Sequence, residues 1–185
     1  MLPAATINTA RLSLRRFAAS DAQRVAELAG AFEIADTTIS IPHPYPAELA
    51  VDWIAQHEQE PHRSRAVTLA ASEPTSGLVG CFELRDIDTE HAQAELGFWI
   101  GKPFWGLGYA TEAGAALLRF GFEQLELNRI YAHHMVRNPA SGRVLLKLGM
   151  RQEGLLRQRV RKWGRFEDVV AYAVLREDHA RPGQG

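Results

Sequence analysis

The sequence predicts an α+β domain built on one mixed sheet, and three observations carry that expectation. Apolar runs of strand length outnumber the helical patterns and do not alternate with them one for one, as repeated βαβ units would. Three of those runs follow one another between residues 65 and 100 with no helix between them. The last two, 154–162 and 166–175, are parted only by Trp163-Gly164-Arg165, which makes a closing hairpin.

The elements follow in order. Residues 11–17, Arg-Leu-Ser-Leu-Arg-Arg-Phe, alternate at period two and read as a strand. Ser20-Asp21 marks a helix start, with Val25, Leu28 and Phe32 at helical spacing behind it. Residues 40–46 hold three prolines and form an irregular loop. A second helix over about 47–60 is expected to turn Leu49, Trp53 and Ile54 inward. Strands at 65–72 and 77–87 are joined by the turn Glu73-Pro74-Thr75-Ser76-Gly77, and 92–100 extends the meander. Ala113, Ala116, Leu117 and Phe120 mark one face of a helix running to about 124, and 128–136 reads as a buried strand. Asn138 caps a short helix that has Pro139 at its first position and Gly149 at its end. The order is β-α-α-β-β-β-α-β-α-β-β, with seven strands and no internal repeat.

With 185 residues, 46% apolar and 23% charged, the chain can bury a core and is too apolar for disorder. One domain over 1–176 is expected, with 177–185 as a frayed tail. A formal net charge of −1 gives no overall attraction to nucleic acid or membrane. The lone Cys81 leaves no internal disulfide and no all-thiolate zinc site. No run of about 18 apolar residues is present, and residues 1–17 lack the basic-then-apolar layout of a secretory leader, so a cytoplasmic setting is expected.

Function is legible first in Gly106 and Gly108, two apart and directly ahead of a helix. Backbone N–H groups at a helix N-terminus are unpaired and the helix dipole favours negative charge, so such a loop suits an anion. Tyr109-Ala110 after Gly108 does not fit a Walker A loop, which needs Lys-Ser/Thr there. Thr111 stands where a dinucleotide fingerprint wants a third glycine, and the strand before the loop belongs to a meander. A ligand-free glycine turn is the alternative that the two glycines alone leave open.

Residues 94–154 decide between these. They hold Trp105-Gly-Leu-Gly-Tyr-Ala-Thr-Glu-Ala113, followed by Asn138-x-x-Ser-x-x-Val-Leu-x-Lys-x-Gly149, and they closely resemble the GNAT superfamily of N-acetyltransferases. The resemblance is to the branch that contains ribosomal-protein N-terminal acetyltransferases, and it extends to Arg11–Phe17, residues 41–46, Gly77–Leu84 and Gly164–Leu175. It implies a GNAT-like fold whose twisted mixed sheet splays to admit acetyl-CoA as co-substrate. It implies that backbone amides of Trp105, Gly106, Leu107, Gly108, Tyr109, Ala110 and Thr111 hold the diphosphate. It also implies that Phe98, Trp99 and Ile100 pair with the pantetheine arm, and that Asn138 and Ser141 contact the coenzyme. Pro103 departs from the Gln or Arg that often opens the superfamily's loop.

Acetyl transfer to an amine needs a neutral amine, a stabilised oxyanion and a proton for the departing thiolate. An α-amine is roughly a tenth neutral at pH 7, whereas a lysine amine needs about 4–5 kcal/mol of help. Glu95, on the strand feeding the glycine loop, is the candidate base for the amine; it reads equally as a solvated or ion-paired surface carboxylate. Ribosomal-type relatives place a carboxylate on the strand after Glu153-Gly154, where this chain has Arg157-Gln158-Arg159-Val160-Arg161. The tyrosine that many superfamily members carry in this helix is absent from 139–149. The resemblance implies that Ser141 contacts the sulfur end of the coenzyme and is the candidate proton donor; it also reads as a helix-start serine that only satisfies backbone donors. Glu112 reads as a dipole partner in the first helical turn, and Lys147 as solvated on a face away from Ser141. His133 and His134 alternate across a strand and cannot jointly hold a metal. Cys81 has no base beside it in the sequence pattern, so direct attack in a ternary complex is expected rather than an acetyl-cysteine. Arg157, Arg159 and Arg161, sharing one face at period two, read as charge on an edge strand or as a contact for an acidic partner.

The sequence thus points to an acetyl-CoA-dependent N-acetyltransferase acting on a protein N-terminal α-amine. Alternatives are a small-molecule or antibiotic acetyltransferase on the same scaffold and a non-catalytic acyl-CoA-binding module. Homodimerisation is compatible with the resemblance.

Overall fold

Leu12 and Leu14 are fully buried while Ser13 and Arg15 are only partly so, and the strand β2 (Leu12–Arg15) forms on that alternation. The computed structural model describes residues 6–58, 64–70 and 77–179. Around β2 the sheet is completed by β1 (Ile7–Asn8), β3 (Ser64–Leu69), β4 (Leu78–Asp88), β5 (Gln93–Ile100), β6 (Arg129–Met135), β7 (Arg151–Lys162) and β8 (Arg165–Leu175). The spatial order is β1-β2-β3-β4-β5-β6-β8-β7, an eight-stranded mixed sheet. Every neighbouring pair is antiparallel except β5 and β6, which run parallel. The strand beyond the seven expected is β1, whose two residues are too short to show a period. The turn expected at 73–77 lies, apart from Gly77, outside the described residues.

Helices cover both faces. Phe82, Leu84, Leu96 and Ile130 pack beneath α4 (Tyr109–Glu123) and α5 (Pro139–Lys147), where Ala113, Leu117 and Leu145 are buried. On the other face Ala66 and Leu78 meet Val25 of α1 (Ala22–Ala29) and Ile54 of α3 (Ala47–Glu58). The start of α1 is fixed by Asp21, fully buried, whose two carboxylate oxygens each lie 2.7 Å from Arg15 Nη1 or Nη2 and one of which accepts the Ala18 N–H at 2.8 Å. Such a bidentate, charge-assisted pair anchors the helix to β2.

Three expectations are corrected. α1 stops at Gly30, so Phe32 opens a separate helix, α2 (Phe32–Thr37), and is 54% exposed. Leu49 is also exposed, and Ala50 takes its place on the inward face of α3, where Ile54 and Trp53 pack as expected. Arg176–His179 form a helical turn, α6, with Asp178 paired to Arg151 at 2.8 Å, where fraying was expected from 177. Residues 180–185 lie outside the described set. No helix among the described residues is long and apolar enough to cross a membrane.

Candidate active site

The loop between β5 and α4 has the backbone its glycines require. Gly106 and Gly108 sit at φ +77° and +81°, a region that costs an L side chain roughly 1–2 kcal/mol. A Cβ at Gly106 would meet nothing within 4 Å, so conformation alone demands glycine there. Gly108 is the residue before α4, and the N–H groups of Tyr109, Ala110 and Thr111 have no intrahelical acceptor. The Glu112 N–H is the next, and it closes on Gly108 O at 3.1 Å. The Glu112 side chain is a clasp rather than a simple dipole partner. Its Oε2 lies 2.6 Å from Arg11 Nε, and its Oε1 accepts from Thr9 Oγ1 at 2.6 Å and the Arg11 N–H at 2.9 Å. Partial burial works to raise its pKa, but the Thr9 and Arg11 hydrogen bonds outweigh that and hold the carboxyl below its ordinary range. Arg11 also donates to Leu107 O at 3.0 Å and covers the Tyr109 ring at 4.8 Å, which puts at the loop a cation that no local sequence signal marks.

Next to this loop the sheet opens. β5 and β6 are paired only from Gln93–Glu95 against Arg129–Tyr131. Beyond those rungs β5 stays with β4 and β6 with β8, and the two strands diverge. A cleft of about 960 Å³ fills the parting. Phe98, Trp99 and Ile100 line it, as do Trp105, Gly106, Gly108, Tyr109, Ala110, Thr111, Asn138, Ser141 and Glu95. Leu107 does not; its side chain is half exposed and its carbonyl is held by Arg11. The Ile100 carbonyl is already occupied by the Trp105 indole N–H at 2.6 Å, a contact that fixes the entry to the loop.

On the side of α4 and α5, Asn138 caps α5 as its sequence position predicts. Its Oδ1 accepts the Ser141 N–H at 3.3 Å, and its Nδ2 donates to Ser141 Oγ at 3.0 Å. Because the serine oxygen accepts from Asn138, its own O–H is left to donate elsewhere. A hydroxyl held in this way can protonate a thiolate placed in the cleft. Lys147 is exposed as expected, yet it lines the cleft with Arg143.

The opposite face carries a charged cluster that the sequence pattern does not announce. Glu95 is 7% exposed, with Oε1 at 2.6 Å from Arg85 Nη2 and 3.1 Å from His133 Nδ1. It is therefore a buried, paired carboxylate rather than a solvated one. Arg85 also faces Glu83 at 3.3 Å. Burial pushes the His133 pKa down, and Arg85, Arg159 and His134 add to that against the pull of Glu95. The two histidines do point to opposite faces: His134 Nδ1 lies 2.8 Å from Met135 O, and its Nε2 sits against Gly142 of α5. The signal available for His133 was its place two residues beyond Tyr131, the partner of Glu95, on the same face. Cys81 is 2% exposed, and burial together with Glu83 raises its thiol pKa well above normal, so it is no nucleophile at neutral pH.

The basic row on β7 is exposed on an edge strand, but it is not a regular period-two face. The register slips between Leu156 and Val160, Gln158 sits at φ +51°, and its N–H donates to Asp168 at 2.7 Å. At the hairpin tip Lys162 is 5% exposed, donates to Ile41 O at 2.7 Å and lies 4.8 Å from the Trp163 ring centroid. That contact holds the proline-rich loop, whose Ile39, Ile41 and Tyr45 close the cleft on the α1–α3 side.

A splayed mixed sheet with a glycine loop at a helix N-terminus defines a cleft suited to an anionic ligand, and comparison with known proteins places the fold. The model for the acetyltransferase (GNAT) domain matches residues 11–151, and the chain belongs to that family. The chain is 37% identical over 106 residues to the N-acetyltransferase p20 of Bacillus licheniformis, covering 57% of this chain and 60% of p20. It is 31% identical over 98 residues to the ribosomal-protein-serine acetyltransferase of Escherichia coli (53% and 55% covered). To the spermidine N(1)-acetyltransferase of Vibrio cholerae it is 30% identical over 102 residues (55% and 59% covered). The matches thus span less than two thirds of these curated relatives. A crystal structure of a GNAT-family acetyltransferase from Bacillus anthracis superposes with a TM-score of 0.83 at 26% identity, covering 94% of this chain and 99% of that one.

Proposed function

We propose that this chain transfers the acetyl group of acetyl-CoA to a primary amine by direct attack in a ternary complex, and that the amine is a protein N-terminal α-amine. The observation that carries this reading is the parting of β5 and β6, which leaves one continuous cleft between two differently equipped walls. One wall offers the helix-terminal amides of Tyr109 to Thr111, suited to a diphosphate, with Ser141 and Asn138 beyond them. The other presents Glu95 and His133 to an acceptor. A thioester lying in the parting meets both.

Charge balance favours an acceptor with a single positive charge. Each carboxylate of the acceptor wall faces a cation: Glu33 with Lys102, Asp36 with Arg137, and both Glu83 and Glu95 with Arg85. A polyamine needs unneutralised carboxylates spaced along the cleft, and this pairing does not supply them. An α-amine also needs less deprotonation than a lysine-like amine. The test is thiol release from acetyl-CoA over a panel of α-amino peptides, polyamines and aminoglycosides. Turnover with peptides supports the reading. Turnover confined to polyamines or aminoglycosides moves the chain to small-molecule acetylation, and coenzyme binding without transfer makes it a binding module.

A further inference from the structure

We infer that His133 is the catalytic residue that takes the proton from the attacking amine, with Glu95 and Arg85 as the residues that position it. This rests on the acetyltransferase reading above and names the base for that reaction. Glu95 itself is poorly placed to take the proton, because it is buried and its Oε1 is shared between the Arg85 guanidinium and His133 Nδ1. A carboxylate fixed in this way holds an imidazole in orientation, as an acid does in a nucleophile–base–acid series. With Nδ1 facing Glu95, Nε2 is the nitrogen left to accept a proton, and His133 lines the cleft with its side chain 19% exposed.

The position suits the reaction. His133 lies two residues past the last rung between β5 and β6, on the face away from α5, while Ser141 opens α5 on the other face. Proton removal from the amine and proton delivery to sulfur are thereby separated by the parted strands. As the amine nitrogen attacks the thioester carbon, the C–N bond forms and its proton passes to His133 Nε2. The C–S bond then breaks, and the thiolate leaves with its electron pair and takes the Ser141 hydroxyl proton; water returns a proton to Ser141 while His133 releases the amine proton to water, so both groups end as they began. The charged groups around His133 are Glu95 from β5, Arg85 from β4 and Arg159 from β7, and the His134 ring is its chain neighbour on the opposite face. Their sum with burial keeps the ring neutral at pH 7, so it is ready to accept a proton; its low basicity matches an α-amine better than a more basic polyamine.

The experiment compares wild type with His133→Ala, His133→Gln and Glu95→Gln, using acetyl-CoA and an α-amino peptide, with coenzyme A affinity measured by calorimetry. In the wild type, log kcat/KM should fall with unit slope below the amine pKa and steepen to a slope of two below that of His133. The His133 variants should lose about 10²–10³ in kcat, keep coenzyme affinity, and show unit slope throughout. Added imidazole should restore part of the His133→Ala rate. Glu95→Gln removes the one charge that raises the His133 pKa, so its second break should move to lower pH. Wild-type kcat in a folded His133 variant, or an unmoved or raised break in Glu95→Gln, overturns the assignment while the acetyltransferase reading stands. A wild type that acetylates no amine overturns both.

Discussion

Replacing Gly108 with alanine separates the strain of the glycine loop from the proposed role of its amides in holding the coenzyme. At φ +81° the new Cβ would meet only Arg11 Nη2, at 3.4 Å, so the cost is conformational, about 1–2 kcal/mol. For a chain of this size that lowers Tm by roughly 2–8 °C if the loop keeps its shape. If the loop relaxes instead, the amides of Tyr109 to Thr111 turn away from their common focus, and coenzyme A binding weakens by about 5- to 30-fold for the same free energy. Gly149, at the far end of α5, supplies the control: its φ is +80° and nothing lies within 4 Å of its Cβ position. Gly149→Ala should therefore cost similar stability and leave coenzyme affinity unchanged. Calorimetric titration with coenzyme A and thermal unfolding of both variants read the two effects separately. If Gly108→Ala keeps a Tm close to wild type while a crystal structure shows its loop moved, and it still binds coenzyme A like the wild type, the amides are not the anion site. Equal weakening in both variants refutes the argument as well.

Ser141→Ala should lower turnover by about ten- to a thousandfold with coenzyme affinity intact if, as proposed, its hydroxyl protonates the leaving thiolate; steady-state kinetics beside calorimetry check it. Asp21→Ala leaves Arg15 without its buried partner and should cost about 3–5 kcal/mol, seen in chemical denaturation. Cys81 should resist iodoacetamide at about pH 7.5 in the native protein and react in denaturant, because its burial disfavours the thiolate; native-state modification at the rate of a free thiol contradicts the placement. Replacing Arg157, Arg159 and Arg161 with alanine should leave the salt dependence of acceptor binding unchanged if the row only guards an edge strand, and flatten it if an acidic acceptor docks there.

The elements that depend on local pattern were legible in the sequence. The cap at Asn138, the glycine loop before Tyr109 and the terminal hairpin all rest on residue types whose conformational preferences act within a few positions. What depends on partners distant in the chain was not. Phe32 sits in register with Val25 and Leu28 by spacing, yet the chain turns at Gly30 before that residue can reach the core. Glu95 could be located, but whether it was solvated or paired turned on Arg85, ten residues away on the next strand, and His133 gained its meaning only from a parallel pairing that no local signal announces. The bulge at Gln158 likewise broke a row whose spacing alone implied a single face.

The ammonium of Lys162 reaches across from the last hairpin to carbonyls of the proline-rich segment and so couples two parts of the chain that share no strand pairing. One side of the cleft is consequently braced from a hairpin tip that takes no part in the glycine loop. If the acceptor enters as proposed, substitutions at that tip should alter which amines are used and leave coenzyme affinity unchanged, because Lys162 contacts the proline-rich segment and not the glycine loop.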